Sequence, residues 1–260
     1  MSSFKPLALV TGATSGIGQA FARRLATGGY TVIAVGRRQD RLDALAAEFP
    51  AGQIQTVSAD LSTAQGIERV SEFCRQQPLT LLINNAGVSH YMGFTELPAQ
   101  KAQELLQVKV LAPTMLAHAA APGMVERKTG TLINVAGMLG FGATAPLGQA
   151  VGRATYVAAL SHLISLSLAL NEELKSTGVN VQVLCPGVVA TEFHTRQGMD
   201  LSALPRMSAE DVVTASLRAL ELKEVVCAPG VENRALIDTT LNAALQAFGG
   251  QSPDLASRYR

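Results

Sequence analysis

Cysteine and an excess of charge of either sign are both scarce in this sequence. Its 260 residues include only three cysteines, and 21 basic and 20 acidic residues leave a formal net charge of +1. Cys74, Cys185 and Cys227 are too far apart for a paired metal site or a disulfide framework, so we expect buried, reduced thiols. The balanced charge gives no electrostatic reason to expect nucleic acid or an anionic membrane as a partner.

Segments that would direct the chain to or across a membrane are also missing. Residues Met1 to Pro6 lead into an apolar strand without the basic and apolar regions of a leader. The longest apolar segment, 154–170, is shorter than the roughly 20 residues of a membrane span and contains several serines. We therefore expect a cytoplasmic protein.

Apolar runs of strand length alternate with segments of helical period along the chain. This alternation predicts an α/β fold, a doubly wound parallel sheet of the Rossmann type with about seven strands and helices on both faces. The predicted strands are Leu7–Thr11, Thr31–Val35, Ile54–Ser58, Leu79–Asn84, Gly130–Val135, Asn180–Leu184 and Glu224–Ala228. The predicted helices are Ile17–Thr27, Arg41–Glu48, Thr63–Gln76, Ala99–Arg127, Thr155–Ser176 and Ala209–Leu222. No linker divides the chain, so we expect one domain over 1–260 with a C-terminal extension from about 229.

The segment Thr11-Gly12-Ala13-Thr14-Ser15-Gly16-Ile17-Gly18 lies between the first strand and the first helix. Glycines there let backbone N–H groups approach a pyrophosphate, and the helix that follows offers free amides and a positive dipole end. A second strand ends about 20 residues later, as in a dinucleotide site. The pattern predicts dinucleotide binding.

Two arginines, Arg37 and Arg38, follow the second strand, where an acidic residue would bind the free ribose hydroxyl of NAD. Guanidinium groups instead favour the 2′-phosphate of NADP(H). The alternative is that both arginines are solvated residues at a helix start. We predict NADP(H) as the cofactor.

Two further motifs, Asn84-Asn85-Ala86-Gly87 and Pro186-Gly187-Val188-Val189-Ala190-Thr191, follow in order. Together with the glycine turn they make the chain resemble the short-chain dehydrogenase/reductase family over Leu7 to about Ala228. The resemblance implies a Rossmann-type sheet, a small-molecule substrate, and a homodimer or homotetramer built through two long helices.

The resemblance also implies a set of cofactor contacts. Asp60 and Leu61 would border the adenine, residues 85–87 would line the ribose side, and residues 186–191 would hold the nicotinamide carboxamide and the adjoining phosphate. The full predicted cofactor-binding set is Gly12, Thr14, Ser15, Gly16, Ile17, Gly18, Arg37, Arg38, Asp60, Leu61, Asn85, Ala86, Gly87, Val108, Pro186, Gly187, Val189 and Thr191. No metal site is predicted, because no histidine and carboxylate spacing suggests one.

The catalytic set of the family, an asparagine, a serine, a tyrosine and a lysine, is incomplete here. Tyr156 stands at the tyrosine position, but the asparagine position on the long helix is Lys109 and the serine position falls at Ala136-Gly137. The lysine position is Leu160, and no tyrosine in the chain has lysine four residues later.

Loss of the lysine should leave Tyr156 protonated at neutral pH. A free tyrosine titrates near pH ~10, and an ammonium ~4 Å away would favour the phenolate by roughly 4 kcal/mol. Without it the phenol is a poor general base for alcohol oxidation but can still donate a proton in carbonyl reduction. The residues therefore favour reduction.

Lys109 and Leu160 should lie close together on adjacent helices. We hypothesise that the Lys109 amine fills space near Leu160 and acts on Tyr156 or the ribose. The alternative is that Lys109 points to solvent or pairs with a carboxylate such as Glu104.

Weaker candidates remain for other roles. Replacements for the serine hydroxyl are Thr144, Gln149 and Ser161. His90 and His162 are interpreted as structural, His194 as a possible substrate contact, and Arg153 as a helix-start residue on the surface.

Three functions stay open at this point. The first is an NADPH-dependent reductase of a carbonyl or imine group on a small, partly hydrophobic substrate, with catalytic residues Tyr156 and Lys109. The second is a catalytically silent NADP(H)-binding protein, and the third is a non-redox lyase or dehydratase on the same fold. Fold alone does not decide among them.

Overall fold

The structure is a computed structural model that describes residues 5–145 and 152–260 of the chain. Seven parallel strands form one sheet in the order β3-β2-β1-β4-β5-β6-β7. The strands are β1 Leu7–Thr11, β2 Thr31–Gly36, β3 Ile54–Ser58, β4 Leu81–Asn84, β5 Gly130–Val135, β6 Val179–Leu184 and β7 Val226–Cys227. The predicted doubly wound sheet is confirmed.

Nine α-helices lie in the described part of the chain. They are α1 Gly16–Thr27, α2 Gln39–Ala47, α3 Ala64–Gln76, α4 Ala99–Leu106, α5 Ala112–Glu126, α6 Ala154–Leu174, α7 Glu192–Thr195, α8 Ala209–Glu221 and α9 Ala235–Gly249. The six predicted helices are present within a few residues. The sequence patterns did not predict α7 or α9.

The sheet is covered on both faces by apolar helix surfaces. On one face, Phe21 of α1, Leu42 of α2 and Val212 of α8 belong to one buried cluster. On the other face, Val70 of α3 and Leu116 of α5 belong to a second. Burial on both sides explains why the strands read as continuous apolar runs rather than as alternating ones.

The strand order reverses between β1 and β4. Connections from β1 run outward to β2 and β3, and the chain then returns to place β4 on the other side of β1. In open parallel sheets the crevice beyond the carboxyl ends of the strands at such a point is the usual ligand site. The glycine turn after β1 and the Asn84–Gly87 segment after β4 meet there.

The long helix formed by α4 and α5 contains one wider turn. Residues Gln107–Leu111 form a π-helical turn between the two α-helical parts. Such turns insert one extra residue per turn and recur at functional sites. Lys109 lies in the middle of this turn and is buried.

Two helices have the length and apolar composition of membrane-crossing helices, Ala99–Glu126 and Ala154–Leu174. The expectation that 154–170 is too short to span was therefore wrong about length, because the helix continues to Leu174. Both helices also pack on the strands, α5 on β4 and β5, and α6 on β5 and β6. Such packing is typical of core helices, and the cytoplasmic location remains a prediction.

The chain divides into two compact units, residues 1–229 and 230–260. The second consists of α9 and a short 3₁₀ turn at Ser257–Tyr259. The helix α9 leaves Leu236, Leu245 and Phe248 exposed. The prediction of one domain with a C-terminal extension stays a prediction.

A buried polar chain joins β4, β5 and α6 behind the site. Asn84 Nδ2 donates to Asn134 Oδ1 at 3.0 Å, and Asn134 Nδ2 donates to Ser167 Oγ at 2.9 Å. Ser167 in turn donates to the carbonyl of Leu163 at 2.7 Å. Because each donor is out of water, the chain fixes how α6, which carries Tyr156, sits on the sheet.

Replacing Ser167 with alanine removes the acceptor of the Asn134 amide and leaves a buried donor unpaired. We expect the free energy of unfolding to fall by about 1–3 kcal/mol. Urea denaturation of Ser167→Ala beside Ser165→Ala, an exposed serine on the same helix, measures the difference. Equal stabilities of the two variants would contradict a structural role for the hydrogen bonds that join Asn84, Asn134 and Ser167.

Candidate functional site

A cleft of about 1140 Å³ lies over the carboxyl ends of the strands. It is larger than the roughly 300–1,000 Å³ typical of a site for one small ligand. Seventeen of the eighteen predicted cofactor-binding residues line it, all except Gly18. The sequence motifs therefore converge on one elongated cavity.

The glycine turn is built for close backbone approach. Gly12 has φ +69° and Gly16 has φ +54°, conformations that favour glycine. A Cβ on Gly12 would lie 2.8 Å from the side-chain Nδ2 of Asn85. A Cβ on Gly16 would lie 2.9 Å from Cγ2 of Thr191. These positions form a cradle of backbone groups that fits a cofactor pyrophosphate at the start of α1.

Gly18 lies beneath the turn rather than on the cleft wall. A Cβ there would approach the carbonyl oxygen of Gly12 and the amide nitrogen of Asn85 to 2.4 Å each. The glycine is therefore needed for packing of α1 against the turn, the third of the glycine roles in such fingerprints.

Asn85 holds the turn to the segment after β4. Its side-chain Nδ2 donates to the Thr11 carbonyl at 3.0 Å, and the backbone N–H groups of Asn85 and Ala86 donate to Thr11 Oγ1 at 2.9 and 3.0 Å. Three bonds thus join the ends of β1 and β4. They place Ala86 and Gly87 on the cleft wall beside the glycine turn.

The two predicted phosphate-binding arginines differ in their contacts. Arg38 Nη2 donates to Thr14 Oγ1 at 3.0 Å, to Ser15 Oγ at 3.1 Å and to Glu192 Oε1 at 2.8 Å. Arg37 lies 3.6 Å from Glu104, which also bonds His90 at 3.0 Å. Both arginines line the cleft, Arg38 partly buried and Arg37 exposed, and their binding of a phosphate stays a prediction.

Tyr156 lies on the cleft wall near the start of α6 and is only 8% exposed. Its ring contacts Tyr91 edge-on at 5.7 Å between centroids, and Phe193 at 6.3 Å. Burial, together with Tyr91, raises the pKa of the Tyr156 phenol well above its usual value. The phenol is therefore protonated at neutral pH.

Leu160 stands at the predicted lysine position, and Gly137 belongs to the Ala136-Gly137 pair at the predicted serine position. A Cβ built on Gly137 would lie 3.4 Å from Cδ1 of Leu160, so the two positions face each other. Both line the cleft, and Leu160 lies one helical turn after Tyr156 on α6. The apolar leucine takes up room beside the glycine, and neither residue supplies a hydroxyl or a charge.

Lys109 is buried in the cleft wall, only 4% exposed, and does not point to solvent or pair with Glu104. Its Nζ donates to the carbonyl of Val135 at 3.2 Å. A Cβ on Gly87 would lie 2.8 Å from the same nitrogen, which places the amine against the predicted ribose side. Burial lowers the pKa of the Lys109 amine to about 8.

The weaker candidates differ in where they lie relative to the cleft. Ser161 donates to the carbonyls of Gly140 and Val157, which anchors the loop after β5 to α6. Thr144 is not on the cleft wall, and Gln149 lies outside the described residues. His162 bonds Thr114 between α6 and α5, as expected of a packing residue.

His90 and His194 both line the cleft. His90 bonds Glu104, and the His194 ring stacks on Tyr91 with centroids 6.2 Å apart. Arg153 donates to the carbonyl of Ala145 rather than extending from the surface. Within residues 5–145 and 152–260, no cluster of three His, Cys, Asp or Glu side chains is placed to hold a metal ion.

Cys74, Cys185 and Cys227 are all buried, as predicted. Burial raises the pKa values of the Cys74 and Cys185 thiols to about 12. Neither thiol is therefore a nucleophile at neutral pH.

Glu192 is the polar residue that sequence reasoning missed. It lies beside the cleft rather than on its wall, 154 residues along the chain from Arg38, and pairs with that arginine. Its position directly after Thr191 was the one available signal, and no spacing rule connects that position with the second strand.

Comparison with known proteins supports the family and the fold. Residues 6–202 match the family model described as short chain dehydrogenase. A structure of a short-chain dehydrogenase from Sphingobium yanoikuyae in complex with NADPH superposes with a TM-score of 0.92 at 32% identity, over 98% of this chain and 100% of that one. The bulky-bulky ketone specific alcohol dehydrogenase from Comamonas testosteroni superposes with a TM-score of 0.87 at 29% identity, over 98% of both chains.

Curated relatives carry both active and inactive names. A very-long-chain 3-oxoacyl-CoA reductase from Pyrenophora tritici-repentis is 34% identical over 71% of this chain and 55% of its own length. The human inactive hydroxysteroid dehydrogenase-like protein 1 is 32% identical over 72% of this chain and 56% of its own length. The chain thus spans a little over half the length of these relatives.

Burial of the Lys109 amine makes the free energy of unfolding depend on pH. The unfolded lysine has a pKa near 10.5 and the folded one near 8. Between those values the unfolded chain binds more protons, so the free energy of unfolding rises with pH. From pH 7 to pH 9.5 we expect this rise to be about 2 kcal/mol larger in the wild type than in Lys109→Met.

Urea denaturation at the two pH values measures this difference, with Lys101→Met, an exposed lysine on α4, as the control. The control should behave as the wild type does. If Lys109→Met shows the same pH dependence as the wild type, burial does not lower the pKa of the Lys109 amine.

Proposed function

Because the chain belongs to the short-chain dehydrogenase family, we propose that it is an NADPH-dependent oxidoreductase that reduces a carbonyl or imine group of a small, partly hydrophobic substrate. The observation that carries this proposal is Tyr156, a buried phenol on the wall of the cleft that the cofactor-binding motifs form. The named reductase and ketone-specific relatives support a carbonyl substrate.

The cofactor assignment rests on the adenosine end of the cleft. Arg38, Ser15 and Thr14 form a donor cluster over the glycine turn, which suits a 2′-phosphate. The similar structure from Sphingobium yanoikuyae, which contains NADPH, supports the same choice.

In the proposed reaction the bound cofactor supplies the hydride. Tyr156 holds its proton until negative charge develops on the substrate oxygen and then donates it. Its elevated pKa keeps the phenol in this form through the neutral range. The rings of Tyr91 and Phe193 contact the Tyr156 ring, and His194 packs on both of them. In this proposal these rings keep water away from the reacting group.

In this proposal Lys109 supplies the positive charge that the family's lysine would otherwise supply. Its Nζ lies against Gly87 and the Val135 carbonyl, on the ribose side of the cleft. With a pKa of about 8 the amine is mostly charged at neutral pH. It supplies positive charge to the cofactor side of the cleft from the asparagine position instead of the lysine position.

A catalytically silent NADP(H)-binding protein is the second candidate function. The observations in its favour are Leu160 and Gly137, which remove two of the family's catalytic groups, and the similarity to a relative named inactive. A lyase or dehydratase that uses no net redox step is the third.

Incubation of the purified protein with NADPH and a panel of aldehydes, ketones and imines, followed by cofactor absorbance, tests the proposal. Consumption of NADPH with one class of substrate is the expected result. Tight NADPH binding without consumption would favour the silent protein. Conversion of a substrate without net cofactor oxidation would favour the lyase.

Replacing Tyr156 with phenylalanine removes the proton donor and keeps the ring packing. We expect kcat for the best substrate to fall by about 100-fold or more, while the Kd for NADPH, measured by fluorescence, changes little. Tyr30→Phe, far from the cleft after α1, is the matched control and should keep its activity. A Tyr156→Phe variant with wild-type kcat would contradict the role of the phenol.

Assembly into a homodimer or homotetramer through the two long helices is part of the proposal. Leu106, Leu111 and Met115 are exposed along the long helix and give it an apolar outer surface. Light scattering coupled to size exclusion should give a mass two or four times 27.2 kDa. A monomer at micromolar concentration would contradict this part.

A further inference from the structure

Glu192 lies at the centre of an arginine cluster beside the predicted adenosine end of the cleft, and two of these arginines, Arg38 and Arg196, line the cleft. Its carboxylate oxygens are 2.8 Å from Arg38, 3.3 Å from Arg196 and 3.5 Å from Arg41. Partial burial opposes ionisation of Glu192, but hydrogen bonds from Arg38 and Ser15 and the charge of Arg196 leave its pKa below the usual value. The carboxylate is therefore a fixed anion in this cluster.

The same donors are the ones that a 2′-phosphate needs. Arg38 and Ser15 both bond the carboxylate, and Arg38 is held over the turn by Thr14 as well. A phosphate dianion on these donors would meet the Glu192 carboxylate at a few ångströms, where like charges repel strongly. One anion must leave before the other can bind there.

Glu192 also begins the short helix α7, which carries two aromatic residues to the other end of the cleft. Phe193 packs against Tyr156 at 6.3 Å between ring centroids, and His194 stacks on Tyr91 at 6.2 Å. The Phe193 and His194 rings contact each other edge-on at 5.4 Å. A displacement of Glu192 is thus transmitted through adjacent backbone to residues that surround the proposed proton donor.

We infer that Glu192 occupies the 2′-phosphate position as an internal anion, so that NADP(H) binds by exchanging with it and in doing so moves α7 at the reactive end. The inference rests on the proposed NADP(H) function and adds to it a residue that sets cofactor affinity. It predicts that the phosphate, and not the adenosine, is the part of the cofactor that moves α7.

Two fragments of the cofactor separate these effects without any reaction. Adenosine 2′,5′-bisphosphate carries the 2′-phosphate, and adenosine 5′-monophosphate lacks it. Calorimetry should show that Glu192→Gln binds the bisphosphate about tenfold or more tightly than the wild type does, because a competing charge is removed. Its affinity for the monophosphate should stay within about twofold of the wild-type value by the same reasoning.

The exposed Glu173→Gln on α6 is the control for a loss of one negative charge far from the cluster. It should leave both affinities at wild-type values. Unchanged or weaker bisphosphate binding by Glu192→Gln would overturn the exchange and leave Glu192 as a structural residue.

Hydrogen exchange tests the second half of the inference. In the wild type, amide exchange in residues 192–199 should increase when the bisphosphate binds and should not respond to the monophosphate. Exchange in that segment that is unaffected by the bisphosphate would overturn the coupling to α7.

The same measurements distinguish a failure of the proposed NADP(H) preference from a failure of the proposed exchange with Glu192. If the wild type and Glu192→Gln both bind the two fragments equally well, the cluster does not recognise a 2′-phosphate, and the NADP(H) assignment is wrong together with the exchange. If the wild type prefers the bisphosphate but Glu192→Gln binds it no better, the assignment stands and only the exchange is wrong.

Discussion

The chemistry proposed for this protein depends on the burial of one phenol, that of Tyr156, in the wall of the cleft. Tyr156 is surrounded by aromatic rings, and Leu160 lies where an ammonium would otherwise stabilise a phenolate. Burial favours the neutral form of such a group. The fold brings Tyr156 to the cleft through α6, which a buried chain of Asn84, Asn134 and Ser167 holds against the sheet.

The two ends of the cleft differ in their charge and polarity. At the adenosine end, several arginines converge on the glycine turn and hold a carboxylate in place. At the reactive end, apolar and aromatic groups surround the phenol, and the amine of Lys109 is the buried cation nearest to Gly87 among the described residues. In the proposed function, charge therefore anchors one part of the cofactor, while desolvation keeps Tyr156 protonated at the other end of the cleft.

Strong local patterns predicted most of the fold and the cofactor end of the site. Continuous apolar strands, helical periods and the glycine turn depend on neighbouring residues, so the sequence alone was sufficient for them. The helix α7 was missed because it has four residues. The helix α9 lies within the C-terminal extension, for which no helix was predicted. The position of Glu192 among the arginines and the burial of Lys109 depend on packing between elements far apart in the chain, which periodicity does not show.

Titration of Tyr156 itself tests the central claim most directly. Tyrosine labelled with ¹³C at the ring carbon that bears the hydroxyl gives only four signals, from Tyr30, Tyr91, Tyr156 and Tyr259, and a phenylalanine variant assigns the one of interest. With NADP⁺ present, the Tyr156 signal should remain that of a neutral phenol from pH 6 to about pH 10. Ionisation with a midpoint at or below about pH 8 would show that a nearby cation stabilises the phenolate after all, and the account would be wrong.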